Sequence, residues 1–182
     1  MDRHAIRRAS GLLIALLLAG CGSIAAYQSD LATWQALADR ATARVGQPRV
    51  IVKPTSGATG RYDCQDNRVL FGTDGNARWL LAHELGHYVM HHCEPQPWAV
   101  ALEQEKMANR FAVETLQRWG ATEEEAVRET VLQLLLTRRL RPRPQRGHDY
   151  CAEALDVLRR YPNVADPRPA GDSTCSAEFA GR

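Results

Sequence analysis

The residues whose types and spacing most plainly support chemistry are His83, Glu84 and His87. They lie in Leu81-Ala82-His83-Glu84-Leu85-Gly86-His87, an H-E-x-x-H spacing inside an apolar run of helical period. Two helical residues four apart sit about 40° apart around the axis and about 6 Å apart along it, so both imidazoles reach one cation. Glu84, one residue round from His83, falls at the edge of the same face, where its carboxylate can contact a water held by that cation. Zinc takes nitrogen or sulfur ligands and keeps an open position when it is catalytic. This spacing supplies half of such a site and its base.

A catalytic zinc needs a third protein ligand. Downstream, Met107, Ala108, Phe111, Ala112 and Leu116 follow the i, i+3, i+4 rule of a second helix. Glu105, Ala108, Asn109 and Ala112 share a face of it at that period. The small residues after Glu105 let this helix pack closely on the first and point Glu105 at the metal. The other reading of Glu103 and Glu105 is a solvated helix start; the small-residue spacing favours Glu105 as the ligand, with Glu103 the alternative carboxylate.

His83-Glu84-Leu85-Gly86-His87 followed by Glu105-x-x-Ala108-Asn109-x-Phe111-Ala112, with Arg78-Trp79-Leu80-Leu81-Ala82 leading in, resembles the ImmA/IrrE-type zinc metallopeptidases of the gluzincin group, over roughly residues 48 to 117. The resemblance implies zinc ligation by His83, His87 and Glu105, with Glu84 as general acid and base. It also implies that Asn109 orients a ligand histidine from behind, at a position where related gluzincins often carry Asp. It implies a zincin-like α+β fold, mostly helical, with a small sheet beside the active-site helix. In zincins a sheet edge there holds an extended peptide by strand addition, and the strand near 68–71 is the candidate edge.

The N-terminus points to another compartment from the family's usual one. Arg3, Arg7 and Arg8 precede the short apolar run Gly11 to Ala19, and Leu18-Ala19-Gly20-Cys21 reads as a bacterial lipobox. The run is too short to span a bilayer core of about 30 Å as a helix. Residues 1–20 are therefore expected to be a lipoprotein signal peptide, with acylation of Cys21 anchoring the mature chain. Gly22, where Asp would favour inner-membrane retention, resembles the pattern sorted to the outer membrane, facing the periplasm.

Removal of the signal changes the charge argument. The chain carries 23 Lys+Arg and 21 Asp+Glu, and the signal takes Arg3, Arg7, Arg8 and Asp2, leaving 20 of each. The mild basicity belongs to the export signal, and nothing in it supports a nucleic-acid partner. The expected partners are a peptide or protein substrate and, through Cys21, a membrane. With Cys21 assigned to lipid, Cys64, Cys93, Cys151 and Cys175 remain, and an oxidising compartment suggests two disulfides. Three pairings are open. Cys64–Cys93 is preferred because the two flank the active-site helix, and Cys151–Cys175 because they bracket the C-terminal segment. No C-x-x-C spacing supports a thiolate metal site.

The elements that must position these groups read simply. A helix is expected near 28–45, with Leu31, Trp34, Leu37 and Ala41 on one face, then a strand at Val50-Ile51-Val52 and a loop over 55–60. A hairpin follows, Tyr62–Cys64 and Arg68–Phe71 around Gln65-Asp66-Asn67. Thr73 to Asn76 offer an N-cap for the active-site helix, about 76–92, and Pro95 and Pro97 separate it from the helix carrying Glu105, which runs to Gly120. Thr122 to Glu125 form a capping box for a helix with Val127, Val131, Leu134 and Leu135 inward, ending near Arg138-Arg139. A last helix spans about 148–160. The domain is expected over 21–162, with 163–182 a Pro/Gly-rich tail held only by Cys175.

Other residues carry weaker signals. His91 lies about 12 Å along the axis from His83, too far to share its metal, so His91 and His92 read as a polar helix end. Arg138, Arg139, Arg141, Arg143 and Arg146 read as a solvated loop, or as a rim for acidic peptide or lipid headgroups. His148 or Tyr150 is a candidate hydrogen-bond donor to the oxyanion of a tetrahedral intermediate. The expected function is zinc-dependent hydrolysis of peptide bonds in envelope proteins or peptides. The alternatives are a non-catalytic zinc-binding lipoprotein acting in assembly or partner binding, and a cytosolic regulator-cleaving protease, which the lipobox opposes.

Overall fold

The computed structural model describes residues 30–93, 96–141 and 147–180. The signal segment 1–20, Cys21, Pro95, Arg143 and Arg146 lie outside the described residues. The chain is an α+β fold, mostly helical, with one small sheet. Helix α1 covers 30–44 among the described residues. Strands β1 (Ile51–Thr55), β2 (Gly60–Asp63) and β3 (Arg68–Gly72) follow. Then come α2 (Ala77–Val89), α3 (Trp98–Arg118), α4 (Glu123–Leu140), α5 (Tyr150–Arg160) and the short α6 (Ser176–Phe179). Among the described residues no helix is long and apolar enough to cross a membrane.

Helix α2 is the centre of the fold. From Trp79 to Tyr88 every residue except His87 is buried. A helix buried on all sides needs cover on all sides, and β2, β3 and α3 pack against it. Asn76 caps its start, accepting from Trp79 N at 3.1 Å, and donates to Glu129 of α4 at 2.9 Å. Arg78 donates to Trp119 O at the end of α3, 2.8 Å away. The N-terminus of α2 is thereby tied to both later helices.

The sheet order is β1-β3-β2, with β2 antiparallel to β3 and β1 parallel to it. The strand expected to be the exposed edge, 68–71, is therefore the central strand. Local pattern shows the β2–β3 hairpin but not the return of β1 to the other side of β3. The edge beyond β1 is partly occupied, since Gln35 of α1 donates to Val50 O at 2.8 Å and accepts from Val52 N at 3.1 Å. The other edge belongs to β2. Strand β1 also runs through Pro54, as an edge strand can, because a missing N–H there need not break the ladder.

The helical boundaries follow their caps. Helix α2 stops at Val89, short of residue 92, because His91 takes φ +54° and turns the chain back. Thr122 and Glu125 form the reciprocal capping box on α4, whose Val127, Val131, Leu134 and Leu135 are buried. On α3, Glu105, Ala108, Asn109 and Ala112 are buried, while Met107 is exposed and lies off that face.

Two disulfides join Cys64 to Cys93 and Cys151 to Cys175, with Cα atoms 5.9 and 5.4 Å apart. They close stretches with sequence separations of 29 and 24 residues, for which chain entropy gives about 3.5 kcal/mol each. The C-terminal segment is held by more than Cys175. Phe179 is buried, the Arg168 guanidinium lies 4.1 Å from its ring centroid, and Arg139 of α4 pairs with Asp172. A pattern of Pro, Gly and polar residues concealed that one buried aromatic.

Candidate metal centre

Helices α2 and α3 touch at two small residues, Gly86 and Ala108. A Cβ on Gly86 would stand 2.9 Å from Ala108 Cα, so only glycine lets the two backbones come this close. That approach carries Glu105, one turn before Ala108, up to the two histidines. His83 Nε2 and His87 Nε2 lie 3.1 Å apart, and Glu105 Oε2 lies 3.2 Å from the first and 3.3 Å from the second. Glu103, by contrast, is exposed and pairs with Lys106 at 2.6 Å.

Three donor atoms so arranged fit one cation. Bonds of about 2.0–2.1 Å to a tetrahedral zinc put its ligands about 3.3–3.4 Å apart, close to these separations. Glu105 Oε2 is buried without a satisfactory hydrogen-bond partner, an expensive state unless something else meets it. Burial alone would lower the His83 pKa, but the adjoining Glu105 carboxylate raises it to about 9. Burial likewise opposes ionisation of Glu105, yet the two imidazoles hold its pKa far below the usual carboxylate range. The cluster thus attracts positive charge, as a proton or as a metal ion.

The far ring nitrogens fix the tautomers. His83 Nδ1 lies 2.9 Å from Asn109 Oδ1, which can only accept, so Nδ1 carries a proton and Nε2 is the nitrogen left to offer its lone pair to a cation. His87 Nδ1 lies 3.2 Å from His92 Nδ1. Burial, then the charge of His87, lowers the His92 pKa to about 4, so its neutral ring can accept from His87 Nδ1–H. His92 is thus more than a polar helix end, because the left-handed His91 folds it back onto the site. His91 does not join the cluster of donor atoms.

Glu84 is buried against the sheet. A Cβ on Gly60 would stand 2.6 Å from Glu84 Oε1, so the bare β2 backbone makes room for the carboxylate. Burial raises its pKa, with His83 and His87 pulling the other way. Glu84, His83, His87 and Glu105 all line a cleft of about 590 Å³, and so do β2 and the cleft-facing side of α4.

His148 and Tyr150 line the same cleft, their rings stacked with centroids 4.9 Å apart. His148 Nδ1 lies 3.3 Å from Glu153 Oε1 and 3.6 Å from Glu105 Oε2. Burial would lower its pKa, but Glu153 and Glu105 raise it. Burial and then Glu153 push the Tyr150 hydroxyl up to about 12, leaving a neutral donor. Of the arginine cluster, Arg141 also lines the cleft.

Glu153, like the contact made by His92, is not legible in the sequence. It is wholly buried, and its Oε2 accepts from Asn109 Nδ2 at 2.9 Å. The one available signal was its place on the apolar face of α5, between Tyr150 and Val157, where an acid calls for a partner. No family model, no curated protein and no solved structure matches the chain.

Proposed function

We propose that this chain is a zinc-dependent peptidase with a zincin-like site, acting on proteins or peptides of the bacterial envelope. The observation that carries the reading is the convergence of His83 Nε2, His87 Nε2 and Glu105 Oε2 within 3.1–3.3 Å of one another, in a cleft that the buried Glu84, outside that donor group, also lines. His83, His87 and Glu105 would hold the zinc. When bound, zinc supplies Lewis acidity, making water a nucleophile near neutral pH and polarising the scissile carbonyl. Glu84 takes the proton from the attacking water and returns it to the leaving amine.

The rest of the cleft suits a peptide. β2 offers backbone N–H and C=O groups to an extended chain, which main-chain hydrogen bonds hold irrespective of side-chain sequence. Tyr150 keeps its proton, and His148, when protonated on both nitrogens, donates from Nε2 while Nδ1–H faces Glu153. Either can meet negative charge developing on the carbonyl oxygen. The lipobox ending at Cys21 supports lipid anchoring on the periplasmic side, most simply at the outer membrane. Cys21→Ser should abolish acylation, and normal processing and membrane fractionation of that variant would remove the anchor from the proposal.

Glu84→Gln separates enzyme from scaffold. The amide keeps the carboxylate's shape without its basicity, so zinc and fold should remain while hydrolysis falls by about two or more orders of magnitude. Equal cleavage by variant and wild type would show that Glu84 is not the base. Full rescue of a deletion strain by the variant, with no cleavage by either protein, would support a zinc-binding scaffold instead.

A further inference from the structure

Glu153 is buried without a role in the chemistry just described, and an unpaired carboxylate there would be costly. Its two oxygens face different partners. Oε2 accepts from Asn109 Nδ2 at 2.9 Å, and Oε1 lies 3.3 Å from His148 Nδ1. A primary amide donates from nitrogen and accepts at oxygen. A carboxylate on the nitrogen side of Asn109 therefore fixes which way that amide faces, with Oδ1 toward His83 Nδ1 at 2.9 Å. The proton of His83 is then confined to Nδ1, and its Nε2 lone pair is aimed at His87 and Glu105. The same carboxylate draws the Nδ1 proton of His148 toward itself.

We infer that Glu153 is a positioning residue for two imidazoles at once, setting His83 through Asn109 and His148 directly. The metal half of this rests on the zinc reading above. One buried charge on α5 would thus align the cation ligand and the candidate oxyanion donor together. Partners behind a ligand histidine typically change metal affinity by about 10–100-fold when removed.

The test uses the full chain purified in detergent, with zinc affinity measured by competition against a chromophoric chelator. Imidazole ¹⁵N spectra of the zinc-loaded protein report the tautomers. Glu153→Gln keeps the shape but lets residue 153 donate to His148 Nδ1. It should weaken zinc about tenfold and remove the proton from His148 Nδ1, leaving one on Nε2. The double variant Asn109→Asp/Glu153→Gln moves the charge one link closer to His83 and restores every donor–acceptor match. Its zinc affinity should return to within about threefold of wild type, with both tautomers restored. Should Glu153→Gln fail to fold, the swap carries the test alone, since total charge and shape are kept.

Zinc affinity of Glu153→Gln within about twofold of wild type, or a swap no better than that single variant, overturns the inference and leaves the zinc site standing. Two zinc ions per wild-type chain, one lost in Glu153→Gln, would overturn it in favour of a second cation among Glu105, His148 and Glu153. A wild-type chain that binds no zinc overturns both readings.

Discussion

Gly60 on β2 and Glu84 on α2 meet so closely that a Cβ at residue 60 would stand 2.6 Å from Glu84 Oε1 and 2.7 Å from its Cγ. The contact joins the sheet edge to the candidate base, so the strand that would bind an extended peptide also sets where the proton acceptor sits. It is local to one backbone position, which makes it easy to test.

Gly60→Ala should bind zinc like wild type, because the added Cβ meets Glu84 first, and Glu84 is outside the group of donor atoms. Glu84 must shift by up to an ångström to admit the methyl group. Misplacement on that scale can cost about a hundredfold in rate, so hydrolysis should drop at least tenfold while zinc content stays at one per chain. Retention of full activity with the methyl in place would separate the sheet edge from the base.

Gly86→Ala should behave differently, although it also adds one methyl group. Its Cβ would meet Ala108 Cα at 2.9 Å and Ala108 O at 3.1 Å, backbone atoms that cannot turn aside. Helices α2 and α3 must part, at about 1–3 kcal/mol, and Glu105 recedes from the histidines. Denaturant midpoint and zinc affinity should therefore fall together, whereas Gly60→Ala leaves zinc affinity unchanged. A destabilised variant that keeps its zinc affinity would show that Glu105 is not placed by this helix contact.

How far the site can be read from sequence follows from distance along the chain. His83, Glu84 and His87 share one helix, and Glu105 with Asn109 lies on the next, so helical period suffices to group them. The preference for Cys64–Cys93 rested on the two residues flanking α2, and it holds. Glu153 lies 44 residues from Asn109, and no period relates them. β3 is central because β1 pairs with it from outside the hairpin, a contact that strand propensity does not encode. The approach of His92 to His87 depends on the left-handed backbone of His91, which few non-glycine residues adopt and which residue type alone does not fix.

The ligand assignment makes a sharp contrast between two glutamates two residues apart. Glu105→Ala should lose zinc as completely as His83→Ala or His87→Ala, since each removes one of three donors. Glu103→Ala should retain it, because Glu103 is exposed and engages only Lys106 at 2.6 Å. Metal analysis after dialysis against a weak chelator decides the matter. Zinc retained by Glu105→Ala and lost by Glu103→Ala would require α3 to be rotated from its described position.

His92 provides the remaining prediction, because nothing in its spacing marks it as part of the site. Its neutral ring accepts from His87 Nδ1, which leaves the His87 lone pair on Nε2 facing His83 and Glu105. His92→Ala removes that acceptor and frees the His87 ring to rotate or change tautomer, so zinc affinity should fall about tenfold. His92→Gln restores an acceptor oxygen and should recover part of the loss. His91→Ala, which leaves the His92 ring in place but removes an exposed side chain, should have little effect on zinc. Equal affinities for wild type and His92→Ala would reduce the His87–His92 contact to packing at the end of α2. A loss in His92→Ala that Gln partly reverses would place a third imidazole behind the metal site.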